Sequence, residues 1–243
     1  MNARHVGEGS STSSSGHEVR SAETRSRLVA AAIEVFGRVG YEAASTRELA
    51  KLGQTNLSAI PYHFGGKREL YLAAAQVIAD YARELVDTLV VRLDNPSTGG
   101  ALERLEDALA GFVQIMLGDS EPQSWTAFLA RCVAEDDDAF RLIYDYALAP
   151  FQKSLERVVE AIAQGSLDAG EIRLRVSSTI AALISFRLLR GIMLRGMNWK
   201  KVPQGKSQQV EQMVQDLVHS GFFSGRDDRG KVGGSRRRKD RAK

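Results

Sequence analysis

A single cysteine, Cys132, occurs in 243 residues, so the chain can close no internal disulfide and a reducing cytoplasm is the expected compartment. No run of about 18 apolar residues is available to cross a membrane, and no membrane partner is expected. The N-terminus lacks the apolar core of a secretion signal. Catalytic patterns are equally scarce. There is no His-Glu-x-x-His, no Gly-x-Ser-x-Gly, no phosphate-binding Walker loop and no dinucleotide glycine fingerprint. The histidines, His5, His17, His63 and His219, are too scattered to suggest one site. These absences argue against an enzyme and imply no cofactor and no metal. Strand alternation is also missing, so the chain is predicted to be all-α.

Hydrophobic residues make up 43% of the chain, ordinary for a soluble protein able to bury a substantial core. The net charge of +3 hides an asymmetry. Residues 226–243 carry nine Lys or Arg against three Asp, +6, which leaves the other 225 residues near −3. The basic balance therefore reflects a tail, which could touch DNA phosphates or only aid solubility, and it says nothing about the rest. Residues 1–20 are Ser/Gly-rich and predicted to be a disordered arm.

From about Ala22, Leu28, Ala31, Ala32, Val35, Phe36 and Val39 recur at helical spacing, and Gly40 suits the helix end. Residues 45–67 then read as two short helices at an angle. Ser45 and Glu48 have capping-box spacing, so a helix should start at Thr46, turn Leu49, Ala50 and Leu52 inward and stop at Gly53-Gln54. Asn56 can cap a second helix over 57–63, with Leu57 or Ile60 packed inward and Ser58, Pro61, Tyr62 and His63 outward. Short polar and aromatic side chains on an outward face suit a helix lying in a major groove. The cap spacing alone also fits any all-helical protein. Gly65-Gly66-Lys67 follows at once and opens a long amphipathic helix, where free N–H groups and a lysine could hold a phosphate. Further helices are predicted at 102–117, 123–135, 139–164, 172–195 and 206–223, with Pro150 kinking or splitting the third of these.

The run from Thr24 to Tyr71, with Ala32-Ile33-Glu34-Val35-Phe36, Gly40-Tyr41, Thr46-Arg47-Glu48-Leu49-Ala50, Ile60-Pro61-Tyr62-His63-Phe64 and Lys67-Arg68-Glu69-Leu70-Tyr71, resembles the N-terminal domain of TetR/AcrR-family regulators. Phe186-Arg187, Met193-Leu194-Arg195 and Asn198-Trp199 are similar to the end of the C-terminal domain in its CecR-type branch. The resemblance implies an N-terminal helix-turn-helix domain over 21–81, a helical ligand-binding and dimerisation domain over 82–223, and a basic tail over 224–243. It implies a ligand-released repressor binding a palindromic operator on double-stranded DNA as a homodimer. An activator or a ligand-independent architectural protein is the alternative.

By the same resemblance, Arg47 matches a position that can reach a guanine edge, and Ser45 or Thr46 matches phosphate contacts. Asn56, Leu57, Ser58 and Pro61 match groove-facing positions, Tyr62 and His63 backbone-contacting ones, and Lys67 the phosphate lysine. Two departures stand out. Gln54 occupies the usual turn glycine, so either Gly53 or Gln54 must take the special conformation. Pro61 replaces a residue that is often polar or aromatic, leaving apolar contact with a thymine methyl.

A small-molecule effector is implied for the C-terminal domain. Phe112, Met116, Trp125, Phe128, Tyr144, Phe151, Phe186 and Met193 could line an apolar cavity, with Arg187 or Arg190 facing a polar group, or could be plain core. The two arginines could equally pair with Glu156 or Glu160. Ile180, Leu183, Ile184 and Leu188, with Val210, Met213, Val214 and Leu217, form two apolar stripes. They suit either a thick monomeric core or, as the resemblance implies, a four-helix dimer interface.

Overall fold

The computed structural model describes residues 11–118, 121–203, 205, 206, 208–210, 212, 213 and 216, and for 11–15 the backbone alone. The expected tail over 224–243, the first ten residues of the expected arm, and Val214 and Leu217 lie outside the described residues.

Every regular element among the described residues is a helix. The first, α1, runs Ser11–Ala43, so residues 11–20, expected as a disordered arm, are helical here. Extending an existing helix fixes one residue per added hydrogen bond, which is far easier than starting one. Side chains add to this: Arg20 donates to the Gly16 carbonyl at 3.0 Å and Thr24 to the Arg20 carbonyl at 2.9 Å. Gly40 breaks the regular helix with φ 81° and ψ 171°, angles outside the left-handed helical region that glycine adopts readily, and a last short turn follows it. Then come α2 (Thr46–Leu52), α3 (Ala59–Phe64) and the long α4 (Lys67–Asp94). A short 3-10 turn over Pro96–Thr98 leads to α5 (Ala101–Leu117) and α6 (Gln123–Glu135), whose limits match the apolar pattern closely.

The segment expected as one helix over 139–164 is split. It forms α7 (Asp138–Ile143), a π-helical turn over Tyr144–Leu148 and α8 (Ala149–Ala163). Pro150 lies in the first turn of α8, where a missing N–H leaves no intrahelical bond unmade, and the widened turn before it absorbs the ring. The 172–195 segment is split likewise into α9 (Ala169–Leu188) and α10 (Arg190–Gly196), bent by 70° at Leu189. No single helix among the described residues is long and apolar enough to cross a membrane.

The chain divides into two compact units, and the division does not follow chain order. One holds residues 1–83 together with 120–147; the other holds 84–119 and 148 onward. The expected C-terminal domain over 82–223 therefore contributes α6 and α7 to the unit that carries α2 and α3. Phe36, Leu49, Ile60, Leu70, Phe128 and Cys132 are buried in the core of that unit. Its centre is aromatic: Tyr71 meets Phe36 edge-on at 4.8 Å and Phe128 at 5.3 Å. The second unit is centred on Leu105, Leu109, Phe112, Phe151, Leu155, Ile180 and Leu183. Ser154, buried beside this core, donates to Asp94, whose carboxylate also takes Arg157 at 2.8 Å.

Candidate nucleic-acid interface

Ser45 has extended backbone angles, and its Oγ accepts from the Glu48 N–H at 3.1 Å, which starts α2 where the sequence predicted. The second half of the capping box is absent. Glu48 instead accepts from Arg38 of α1 at 2.5 Å, so its carboxylate ties two helices together. Leu49 and Ala50 are buried, whereas Leu52, expected inward, is exposed. Arg47 projects from the exposed face, and Thr46 is half-buried.

The turn after α2 resolves the glycine question. Gly53 has an ordinary φ of −71°, and Gln54 takes the left-handed φ of 51°. Gly53 is needed for a different reason: a Cβ there would stand 3.1 Å from Leu28 Cδ2 and 3.2 Å from the Leu49 carbonyl. The turn closes with the Thr55 N–H on the Ala50 carbonyl at 2.9 Å. Gln54 thus bears the cost of a left-handed backbone so that α1 and α2 can approach.

Helix α3 starts later than expected, at Ala59 rather than 57. Asn56 is not its cap. Its Oδ1 accepts from Ser58 Oγ at 2.8 Å, and its carbonyl accepts the Ala59 N–H. Ile60, 1% exposed, is the inward residue, and Leu57 at 52% points to solvent. Pro61 is exposed, His63 half-buried, and Tyr62 is 74% exposed, an unusual position for a large aromatic ring. Arg25 of α1 fixes the end of α3 by donating to the His63 carbonyl at 2.8 Å while its guanidinium lies 4.4 Å from the Phe64 ring centre. Lys67 opens α4. Its Nζ lies 3.3 Å from the Glu42 carbonyl and 4.5 Å from the Tyr41 ring centre, so the cation is held between the end of α1 and the start of α4.

Thr24 and Arg27 of α1, Gln54 and Thr55 of the turn, and Asn56, Ser58, Ala59, Tyr62 and His63 enclose an open polar groove. Thr24, Arg27, Gln54 and Thr55 were missed by the sequence reading. Thr24 lies one turn before Leu28 on the side of the core stripe and Arg27 flanks that stripe where it begins, and that continuity was the available signal.

The packing behind this face is polar at its edges. Arg131 of α6 donates to the Gly37 and Arg38 carbonyls at 2.9 and 2.8 Å. Gly37 lets α6 approach, since a Cβ there would sit 2.9 Å from the Phe128 nitrogen and the Ser124 oxygen. Arg68 reaches Asp138 at 2.6 Å. Burial pushes the Cys132 thiol up to about 12.

Residues 28–74 match the bacterial regulatory proteins of the tetR family. The DNA-binding transcriptional repressor TetR of Mycobacteroides abscessus is 30% identical over 70% of this chain and 84% of its own. The chain belongs to the TetR family of transcriptional regulators. Residues 101–222 match the C-terminal domain of the HTH-type transcriptional dual regulator CecR. The CecR protein of Shigella flexneri is 27% identical over 84% of this chain and 95% of its own. A transcriptional regulator from Pseudomonas aeruginosa PAO1 superposes with a TM-score of 0.63 at 20% identity, covering 86% of this chain and 96% of its own, which speaks for the fold.

As a TetR-family protein the chain is a DNA-binding regulator, not an enzyme, and the polar groove beside α3 is its candidate contact with a duplex. The residues predicted to line an effector cavity divide between the two units. Trp125 packs on Tyr81 and Phe128 on Tyr71, and Tyr144 lies 6.0 Å from Phe140, all in the unit that carries α3. Phe112 and Phe151 stack at 5.1 Å, fully buried in the other unit, where Met116, Phe186 and Met193 are partly buried. Arg187 donates to the Ile115 carbonyl at 2.6 Å and Arg190 to the Leu117 carbonyl at 3.0 Å. These two arginines therefore satisfy the last carbonyls of α5, a role that neither effector binding nor pairing with Glu156 or Glu160 had suggested.

Of the residues predicted for a dimer interface, Ile180 and Leu183 are buried within their own unit, and Ile184 and Val210 are partly buried against the same core. Leu188 is half-buried and Met213 exposed. Leu174 on α9, Leu189 at the bend and Ile192 on α10 are large apolar side chains left exposed.

Proposed function

We propose that this TetR-family regulator acts as a homodimeric repressor that binds a palindromic operator and is released by an apolar small molecule. The observation that carries the DNA contact is the outward face of α3. Tyr62 stands free of the core beside Ser58 and Pro61, Ile60 with Ala59 and Phe64 anchors the helix, and Arg47 extends from α2 on the exposed side. Such a face can enter a major groove with short side chains near base edges and a ring against the backbone. In this reading Ser45 or Thr46 meets phosphate through its backbone, since the Ser45 hydroxyl already caps α2.

Dimerisation is assigned to α9 and α10 and the helical residues that follow. Leu174, Ser178 and Ala181 recur at helical spacing on the exposed side of α9, and exposed Leu189 at the bend and Ile192 on α10 follow them. A two-fold axis through this stripe presents two copies of α3, which is why a palindrome is expected. The effector is placed in the second unit, next to Met116, Phe186 and Met193, whose partial burial and flexible side chains can yield to an apolar guest.

Selection of binding sites from randomised duplex, followed by a screen for small molecules that dissociate the complex, tests the whole reading. An enriched inverted repeat and a releasing ligand are expected. An enriched site that no molecule releases points to an architectural role. One specific observation favours a second reading: the Shigella flexneri relative is a dual regulator, so transcription assays should place the selected site both over and upstream of a promoter.

A further inference from the structure

Helix α1 does not stop where its packed face stops. Leu28 is fully buried, yet the helix continues back to Ser11, thirteen residues beyond Thr24, or about 20 Å of added rod. Residues 17–20 are exposed, Val19 among them, so this part of the overhang contributes nothing to the core. We propose that it is a second DNA-contacting element, in which Arg20 and Arg27, with His17 at the outer end, hold the phosphate backbone flanking the site read by α3. The proposal rests on the DNA-binding reading given above and extends its footprint.

Three observations lead there. Arg27 and Thr24 already line the groove shared with Asn56, Ser58, Tyr62 and His63, so α1 faces the same concavity as the reading helix. At about 100° per residue, Arg27, Thr24, Arg20 and His17 fall within a sector of about 80°, while Glu18 and Glu23 fall outside it. The stripe therefore continues from the groove along the overhang. Its orientation is fixed at the base, where Arg25 leaves the stripe to bind the His63 carbonyl and stack on Phe64. Arg20 is held through Nε on the Gly16 carbonyl, and Arg27 Nη2 lies 3.4 Å from Thr24 Oγ1, which leaves donors of both guanidiniums facing outward.

From Arg27 to His17 the stripe extends about 15 Å, long enough to follow several phosphates of one strand. Guanidinium groups suit phosphate oxygens but, on a helix outside the major groove, present no fixed donors to base edges. The chemistry predicted is therefore affinity without added sequence information.

The test uses the full chain, an operator obtained by site selection, and two duplexes, one limited to the selected motif and one extended by a helical turn on each side. Binding is measured by fluorescence anisotropy between about 50 and 200 mM salt. The Arg20→Ala/Arg27→Ala double variant should lose the gain in affinity that flanking DNA gives the wild type, and its salt slope on the long duplex should fall by about two per bound protomer. The Arg20→Ala single variant, which leaves the groove residues intact, should select the same motif, and Arg20→Lys/Arg27→Lys should keep most of the slope. Equal affinity and slope for wild type and double Ala variant on the long duplex would overturn the proposal and leave the overhang a solvated face. Failure of the wild type to select any site would overturn both this inference and the DNA-binding reading beneath it.

Discussion

Tyr71 of α4 donates its hydroxyl to Asp137 at 2.5 Å, and the same carboxylate accepts the Phe140 N–H at 2.9 Å to cap α7. One side chain thus fixes the start of α7 and attaches it to the first turns of α4, directly behind Lys67. The Cys132 thiol completes the cluster at 3.3 Å from the Tyr71 oxygen, which, having given its proton to Asp137, accepts from sulfur. Burial and these partners raise the Tyr71 hydroxyl well above its ordinary range.

Removing the acceptor should cost more than removing the donor. Asp137→Ala loses a helix cap and strands a buried hydroxyl, so it is expected to destabilise the fold by about 2 to 4 kcal/mol, against about 1 kcal/mol for Tyr71→Phe. Urea unfolding midpoints of the two variants check the order. A smaller loss for Asp137→Ala than for Tyr71→Phe would mean the cap contributes nothing.

The Cys132 thiol should be inert in the folded protein. With the folded value near 12 and the ordinary one at 9.0, the neutral thiol is the favoured form, and its contribution to stability is complete below pH 9. That contribution is lost as the pH rises from 9 towards 12, because the unfolded chain ionises first. Cys132→Ala should therefore show a shallower alkaline decline in stability than the wild type. An aromatic disulfide reagent at neutral pH should label Cys132 only after denaturant is added; rapid labelling of the native protein would contradict its burial.

Lys67 and Arg47 should separate cleanly in binding assays. Lys67→Ala is expected to weaken all duplexes about equally and lower the salt slope by roughly one unit, as loss of one phosphate contact does. Arg47→Ala should cost about 1 to 3 kcal/mol on the preferred site and relax preference at one symmetric base position. Site selection with each variant reads the difference; an unchanged motif for Arg47→Ala would make it a phosphate contact instead.

Charges on α9 and α10 should divide by burial. Leu183 is 2% exposed and should unfold its unit when changed to Glu, whereas Ile192 at 70% should tolerate Glu in the monomer and break the dimer. Sedimentation velocity with circular dichroism distinguishes the two. A folded, fully dimeric Ile192→Glu protein would move the interface away from this stripe.

The sequence by itself determined what depends on neighbours along the chain. The start of α2 at Ser45, the end of regular helix at Gly40, the limits of α6 and the regular spacing of one inward face per helix all follow from side chains within a turn or two. For the same reason the outward positions Ser58, Pro61 and Tyr62 could be named before any fold was known. Tertiary structure decided the partners. That Glu48 goes to Arg38, that Ile60 rather than Leu57 turns inward, and that Arg187 and Arg190 close the end of α5 are matters of which helix comes alongside. Helix α9 shows the limit plainly: helical phase separates Ile180 and Leu183 from Leu174, but which of the two faces is buried is decided by packing, which takes the first two into the core and leaves Leu174 exposed. Helical periodicity marks apolar residues as able to bury surface, but the neighbouring helix chooses which of them do, because burial is a property of two surfaces and the sequence of one helix describes only its own.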